Sequence, residues 1–254
     1  MIGKIFITRT GYDPQMGKHV KDPFLGPHPT LGACRPDIRK QLNKGDQIFV
    51  ISGKIPDFNQ FVMGGFEIEA KIPALEAYRL FPELRLRRLE DGQLTGNIIV
   101  TADGRQHELD THSSFQRRIQ NYVVGTNPIS LVTSAEIAEG RKQTLAALRD
   151  ILHKKGKSPY EVVGHFGTGL TEKQVLQLRD WLEAIKRAAK NQPRTPQRFF
   201  AIWPVTSKEY QCCGLKEITP EHRPTARLSL SANAGMEEPV DTGGGGQPTE
   251  DSAH

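Results

Sequence analysis

Apolar and polar residues alternate with a period of two from Phe66 to Ile72. Phe66, Ile68, Ala70 and Ile72 fall on one face, and Glu67, Glu69 and Lys71 on the other. That pattern predicts a strand over Phe61 to Ile72 with one buried and one wet face. Ile5 to Thr8 is a short β-rich stretch, and Gln47 to Ile51 is an apolar run read as a buried strand. Asn97 to Thr101 and Arg105 to Leu109 flank Ala102-Asp103-Gly104, whose Asp-Gly pair predicts a hairpin. Tyr122 to Val124 and Ile129 to Val132 read as two further short strands. Between these elements, Gly11 to Pro29 is a long loop rich in Pro and Gly, and Ser52 to Asn59 is a second loop. Pro36 opens a helix running to about Asn43, which Gly45-Asp46 stops. Pro73 opens another, ending near Phe81.

The period changes at Ser134, read here as an N-cap. Leu145, Leu148, Ile151 and Leu152 make the apolar stripe of a helix ending near Lys154. Ser158-Pro159 starts a short helix to about Phe166, and Gly167-Thr168-Gly169 reads as a turn. Thr171 and Gln174 form a capping box for a helix to about Lys190. Its apolar face is Val175, Leu178, Trp181, Leu182 and Ile185, with Lys173, Arg179, Lys186, Arg187 and Lys190 elsewhere. Arg198 to Trp203 reads as a last strand. From about Arg223 the chain is rich in Pro, Ser, Thr and Gly, a composition that predicts disorder.

The fold class expected is therefore α+β, a curved sheet with a C-terminal helical extension and a disordered tail. The boundaries are 1–132 for the sheet domain, 133–205 for the helical extension with its final strand, and 223–254 for the tail.

Charge sharpens this picture. The whole chain carries a formal +5. Ser231 to His254 has no Lys or Arg and holds Glu237, Glu238, Asp241, Glu250 and Asp251. The tail is therefore −5, and the body before it must carry +10 to leave the whole at +5. A basic body favours an anionic partner such as DNA, RNA or a free nucleotide, and also serves solubility. No apolar run approaches the roughly 20 residues of a membrane span. The first residues lack the apolar core of a leader peptide, which predicts a cytoplasmic protein. Cys34, Cys212 and Cys213 have no framework or metal-ligand spacing, as expected of reduced thiols. There is no phosphate loop, dinucleotide fingerprint, HExxH or nucleophile elbow. No metal and no cofactor are expected.

The densest stretch is Asp22 to Lys54, DPFLGPHPTLGACRPDIRKQLNKGDQIFVISGK. A Pro/Gly loop delivers Phe24 and His28 to a short helix carrying Arg35, Arg39 and Lys40. A strand then ends in Ser52-Gly53-Lys54. If both loops face one pocket, Phe24 stacks a base, Ser52 and the backbone near Gly53 read its edge, and Lys54 and the arginines supply charge. The same residues also suit core plugs and a solvated helix face.

Pro23, Phe24, Gly26, Thr30, Leu31, Cys34, Arg35, Pro36, Ile38, Arg39, Gly45, Asp46, Ser52, Gly53 and Lys54 together resemble the bacterial and phage nucleotide-modification-associated domain family. The order of elements is similar to the wider PUA-like superfamily, which includes the EVE, ASCH and YTH types. The resemblance covers the stretch from Asp22 to Lys54 closely and extends loosely towards residue 130. It implies a PUA-like pseudo-barrel that recognises a modified base in a DNA-modification or defence context. It implies no defined reaction.

Asp110 to Gly125, DTHSSFQRRIQNYVVG, offers His112 as a base oriented by Asp110, with Cys34 as a nucleophile. A polar turn capping the next helix, with Ser113 or Ser114 as N-cap, is preferred to the catalytic reading. Arg117 and Arg118 join Arg39 as candidate phosphate contacts. The expected function is nucleic-acid or nucleotide binding. Two alternatives stay open: an enzyme acting on a nucleotide or base in the same pocket, and a helix-turn-helix regulator reading DNA through Lys173 and Arg179. Oligomeric state is not legible in the sequence.

Overall fold

The computed structural model describes residues 2–13 and 17–191. In chain order the first elements are β1 (Gly3–Gly11), β2 (Thr30–Leu31), α1 (Pro36–Gln41), β3 (Gln47–Gly53), β4 (Val62–Ile72) and α2 (Ala74–Leu80). Next come β5 (Arg87–Arg88), β6 (Leu94–Thr95), α3 (Phe115–Arg118) and β7 (Tyr122–Ser130). The last are α4 (Ser134–Leu152), α5 (Pro159–Val163), β8 (Thr168–Leu170) and α6 (Glu172–Lys190). Six strands make a mixed sheet in the order β2-β7-β4-β3-β1-β8, in which β1 and β3 are parallel and every other pairing is antiparallel. The α+β class holds. The two edge strands, β2 and β8, are not hydrogen-bonded to each other, so the sheet is open.

Ile48, Phe49, Val50 and Ile51 are all buried, because the middle of the sheet is covered on both faces. On one side α4 and α6 bring Leu148, Ile151, Val175, Leu178, Leu182 and Ile185 into one core with Ile5, Phe49 and Phe66. That core runs across the expected boundary between residues 132 and 133. A second cluster holds Ala74, Ala77, Leu84, Ile98, Val100 and Tyr122. Gly64 lets β4 and β7 meet, since a Cβ there would lie 2.1 Å from the Ile129 carbonyl oxygen.

Several local expectations change in the tertiary setting. Gly167-Thr168-Gly169 is not a simple turn. Thr168–Leu170 pairs with residues 3–5 as β8. Gly167 makes the entry possible, because its φ is positive and a Cβ there would lie only 2.6 Å from the Ile5 carbonyl oxygen. The two short strands after Tyr122 are one, β7, because Asn127 takes a left-handed conformation and the register with β4 shifts along the way. The Asp103-Gly104 hairpin shrinks to a turn with a single bridge, Val100 to Gln106. Ile98, Ile99 and Val100 are all buried, so this stretch has no wet face, and Ile98 bridges to Arg85 instead. The N-cap of α4 is Thr133 rather than Ser134. Only Thr133 has the spacing to exchange hydrogen bonds with Glu136. The expected strand at Arg198 to Trp203 and the tail 223–254 lie outside the described residues. No described helix is long and apolar enough to cross a membrane.

Candidate functional site

The loop before β2 is held by its own backbone. Phe24 and Thr30 exchange hydrogen bonds at 2.9 Å in both directions, which closes residues 25–29 into a small loop. The Phe24 ring lies over Gly26 and packs against the second cluster. Its neighbour Leu25 lines two adjoining recesses at the end of β7, which share Leu25, Ser130 and Val132, and Pro23 lines the inner one.

The inner recess is a slit of about 40 Å³ walled by Tyr12, Val20, Pro23, Met63 and Leu131, with His19 beside it. That volume holds a few waters and no aromatic ring. The outer recess is an open groove of about 460 Å³, within the range of small-molecule sites. Gly26, Pro27 and Pro128 form one part of it. Arg179, Glu183 and Lys186 of α6 contribute the other.

Both cations are positioned by the protein itself. Arg179 Nη1 donates to Gln47 Oε1 and to the Asn127 carbonyl, each at 3.1 Å. Lys186 Nζ donates to the Ser130 carbonyl at 2.6 Å and to Glu136 Oε1 at 3.3 Å. Behind the slit, burial and the nearby Asp13 carboxylate push the Tyr12 phenol up to about 12, so it remains a neutral hydroxyl at ordinary pH. Asp13 pairs with Arg141 at 2.9 Å, and the Arg141 guanidinium sits 5.0 Å from the centres of the Phe58 and Phe61 rings. Among the described residues, no group of three His, Cys, Asp or Glu side chains could hold a metal ion.

The pocket expected from Phe24, His28, Ser52, Gly53 and Lys54 is not assembled. Phe24 and His28 precede β2, whereas Ser52 and Gly53 end β3, with β7 and β4 between. Ser52 is buried and its Oγ accepts from the Phe61 amide at 3.1 Å. The Gly53 amide donates to Thr8 Oγ1 at 2.9 Å. His28 and Lys54 are exposed.

Arg35 takes a left-handed backbone conformation and clamps Asp37 with hydrogen bonds of 3.0 and 2.7 Å. It also donates to the Phe166 carbonyl at 2.7 Å. The pairing holds the Asp37 carboxyl below the usual carboxylate range. Arg39 is corrected from phosphate contact to core residue. It is fully buried, and its guanidinium donates to the carbonyls of Ala33, Cys34, Arg118, Gln120 and Asn121. Arg118 donates to the Ala33 and Ser113 carbonyls at 2.9 Å each. Arg117 is exposed.

Cys34 is a poor nucleophile. Burial first, and then the Asp22 carboxylate, push its thiol far up. Asp110 and His112 do meet: His112 Nδ1 lies 2.5 Å from Asp110 Oδ1, with the carboxylate side chain 2 % exposed. Gln106 donates to Asp110 Oδ2 at 2.8 Å. Leu109, next to the pair, packs in a third cluster with Ala33, Leu86 and Ile99. No residue of that cluster lines either recess, so the pair and the recesses do not share a pocket.

Two features were missed in the sequence. One is a buried network of Asp22, Asn97, Thr30 and Tyr122, which has no spacing signal at all. The other is the groove itself: Arg179 was expected only as a DNA contact of a helix-turn-helix, and its convergence with Glu183 and Lys186 on one recess was not foreseen, although their helical spacing could have pointed to it.

No family model matches the chain, and no curated protein or solved structure matches it.

Proposed function

We propose that this chain binds nucleic acid or a nucleotide at the paired recesses, with a base directed to the apolar slit and phosphate to the groove. One observation carries the reading. An apolar slit and an open groove edged by Arg179 and Lys186 share a wall, formed by Leu25, Ser130 and Val132. Apolar walls suit the faces of a base, and cations on an exposed edge suit phosphate. The slit of about 40 Å³ must widen before a base can enter it.

The motif resemblance supplies the context. On it we place the domain among PUA-like folds with an open sheet, acting on modified bases of DNA in the cytoplasm. The test is fluorescence anisotropy at physiological salt with two matched duplexes, one unmodified and one carrying modified bases, and with free nucleotides. Binding that weakens in Arg179→Gln/Lys186→Gln supports the site. Affinities equal to those of the parent chain for every ligand overturn it.

The Asp110–His112 contact supports a second reading, an enzyme on a nucleotide or base. A buried carboxylate that orients an imidazole is the arrangement a general base needs. Loss of turnover with binding retained in His112→Ala is its test. A helix-turn-helix is not favoured. Strand β8 separates α5 from α6, a longer and more structured connection than that motif uses.

A further inference from the structure

Phe166 is 75 % exposed and Tyr160 52 % exposed, the first being the most exposed large apolar side chain among the described residues. Aromatic rings mostly turn inward, and neither of these is isolated. His165 stands edge-on to Phe166 with centroids 5.0 Å apart at 81°, and Tyr160 lies 6.4 Å from His165 at 63°. The segment that carries them is held at two points. Arg35 donates to the Phe166 carbonyl at 2.7 Å, and Lys154 Nζ donates to Thr168 Oγ1 at 3.0 Å. Gly167, in its left-handed conformation, packs against β1 and completes the anchor.

Charge surrounds the rings. Lys154, Lys155 and Lys157 are all exposed on the segment that links α4 to α5. Of the acids on these segments, Glu161 accepts from the Lys157 amide at 2.9 Å, and Asp150 and Glu172 are exposed, against the three lysines. Asp37 is occupied by Arg35. Protein-binding patches are depleted in lysine relative to the rest of the surface. Here the rings stand at angles to one another with lysines beside them, which suits successive bases and a phosphate backbone.

We infer that Tyr160, His165 and Phe166, flanked by Lys154, Lys155 and Lys157, form a stacking platform for single-stranded nucleic acid. The inference rests on the nucleic-acid reading for its class of ligand, but not for its location. The platform lies at the N-terminal end of α6, and the groove lies further along that helix.

The experiment uses the full chain and a fluorescein-labelled dT12, with an abasic strand of equal length as the charge control. The expected result is binding of dT12 that exceeds binding of the abasic strand and falls about ten-fold or more in Tyr160→Ala/Phe166→Ala. Both rings are exposed, so the melting temperature of that variant should match the parent chain, which keeps the comparison valid. Lys155→Gln/Lys157→Gln should flatten the salt dependence of dT12 binding by about 0.7 in slope for each phosphate contact removed. Absence of dT12 binding, equal binding of the abasic strand, or unchanged affinity in the aromatic variant overturns the platform. Arg179→Gln/Lys186→Gln, assayed with free nucleotide, reports on the groove alone, so failure of either site is distinguishable from failure of the other.

Discussion

Asn97 Nδ2 donates to Asp22 Oδ1 at 3.0 Å across 75 positions of chain. Around this contact the groups are mutually satisfied. Asp22 also accepts from the amides of Gly32 at 2.8 Å and Cys34 at 2.5 Å. Asn97 donates to Thr30 Oγ1 at 2.9 Å and accepts from the Tyr122 hydroxyl at 2.7 Å. The network ties the loop that lines the recesses to β2 and β7. Asn97→Ala leaves a buried carboxylate and a buried phenol short of partners. It should lower stability by about 3 kcal/mol, read as a lower urea midpoint at unchanged slope, whereas Tyr122→Phe should cost about 1 kcal/mol.

Arg39 supplies donors to five backbone carbonyls from a fully buried position. Arg39→Met removes all of them and should destabilise by at least about 3 kcal/mol in chemical denaturation. Arg39→Lys should not restore stability, because an ammonium cannot reproduce the planar fork. An unchanged midpoint in either variant would restore Arg39 as a surface contact.

The Tyr12 phenol is raised from 10.0 to about 12. A folded-state value above the unfolded one means stability that is intact below pH 10 and lost as pH rises from 10 towards 12. The melting temperature of the parent chain should therefore fall more steeply over that window than that of Tyr12→Phe. Ultraviolet titration of the phenolate should show one late-ionising tyrosine fewer in the variant.

At the groove, Arg179→Gln/Lys186→Gln removes two candidate phosphate contacts. With both operating on duplex DNA, the slope of log affinity against log salt should fall by about 1.8. Because Lys186 also bonds Ser130 and Glu136, the melting temperature of the variant should drop slightly, and binding must be measured well below it.

Phe24 separates the site expected from the motif from the one the fold presents. Its ring packs on the second cluster. Truncation in Phe24→Ala should therefore cost about 2 kcal/mol of stability, because the site is only partly buried. Affinity for nucleotide in the folded variant should stay within about two-fold of the parent chain, since the ring lines neither recess. A large loss of affinity at full stability would return Phe24 to the role of a base stack.

Local order was legible wherever the chain reports its own geometry. The period of two over Phe66 to Ile72 became β4, and the apolar run from Gln47 became β3. Pro36, Ser158 and the Thr171–Gln174 box each start a helix where expected. These signals depend on residues within a few positions of one another, as do capping and turn chemistry. The placement of the site is different in kind. The direction of Phe24 depends on the bridge to Thr30 and the cluster beyond it. Arg39 looks like any basic residue on a short helix until the carbonyls of Arg118, Gln120 and Asn121, far along the chain, surround it. Three residues at Thr168 become a strand only because residues 3–5 offer an unpaired edge. The sequence by itself determined the class of fold, most of its elements and the charge of the body. Tertiary structure alone decided which basic groups are buried, which loop residues share a wall and where the groove opens, because a hydrogen bond or a desolvated charge depends on neighbours that only folding brings within reach.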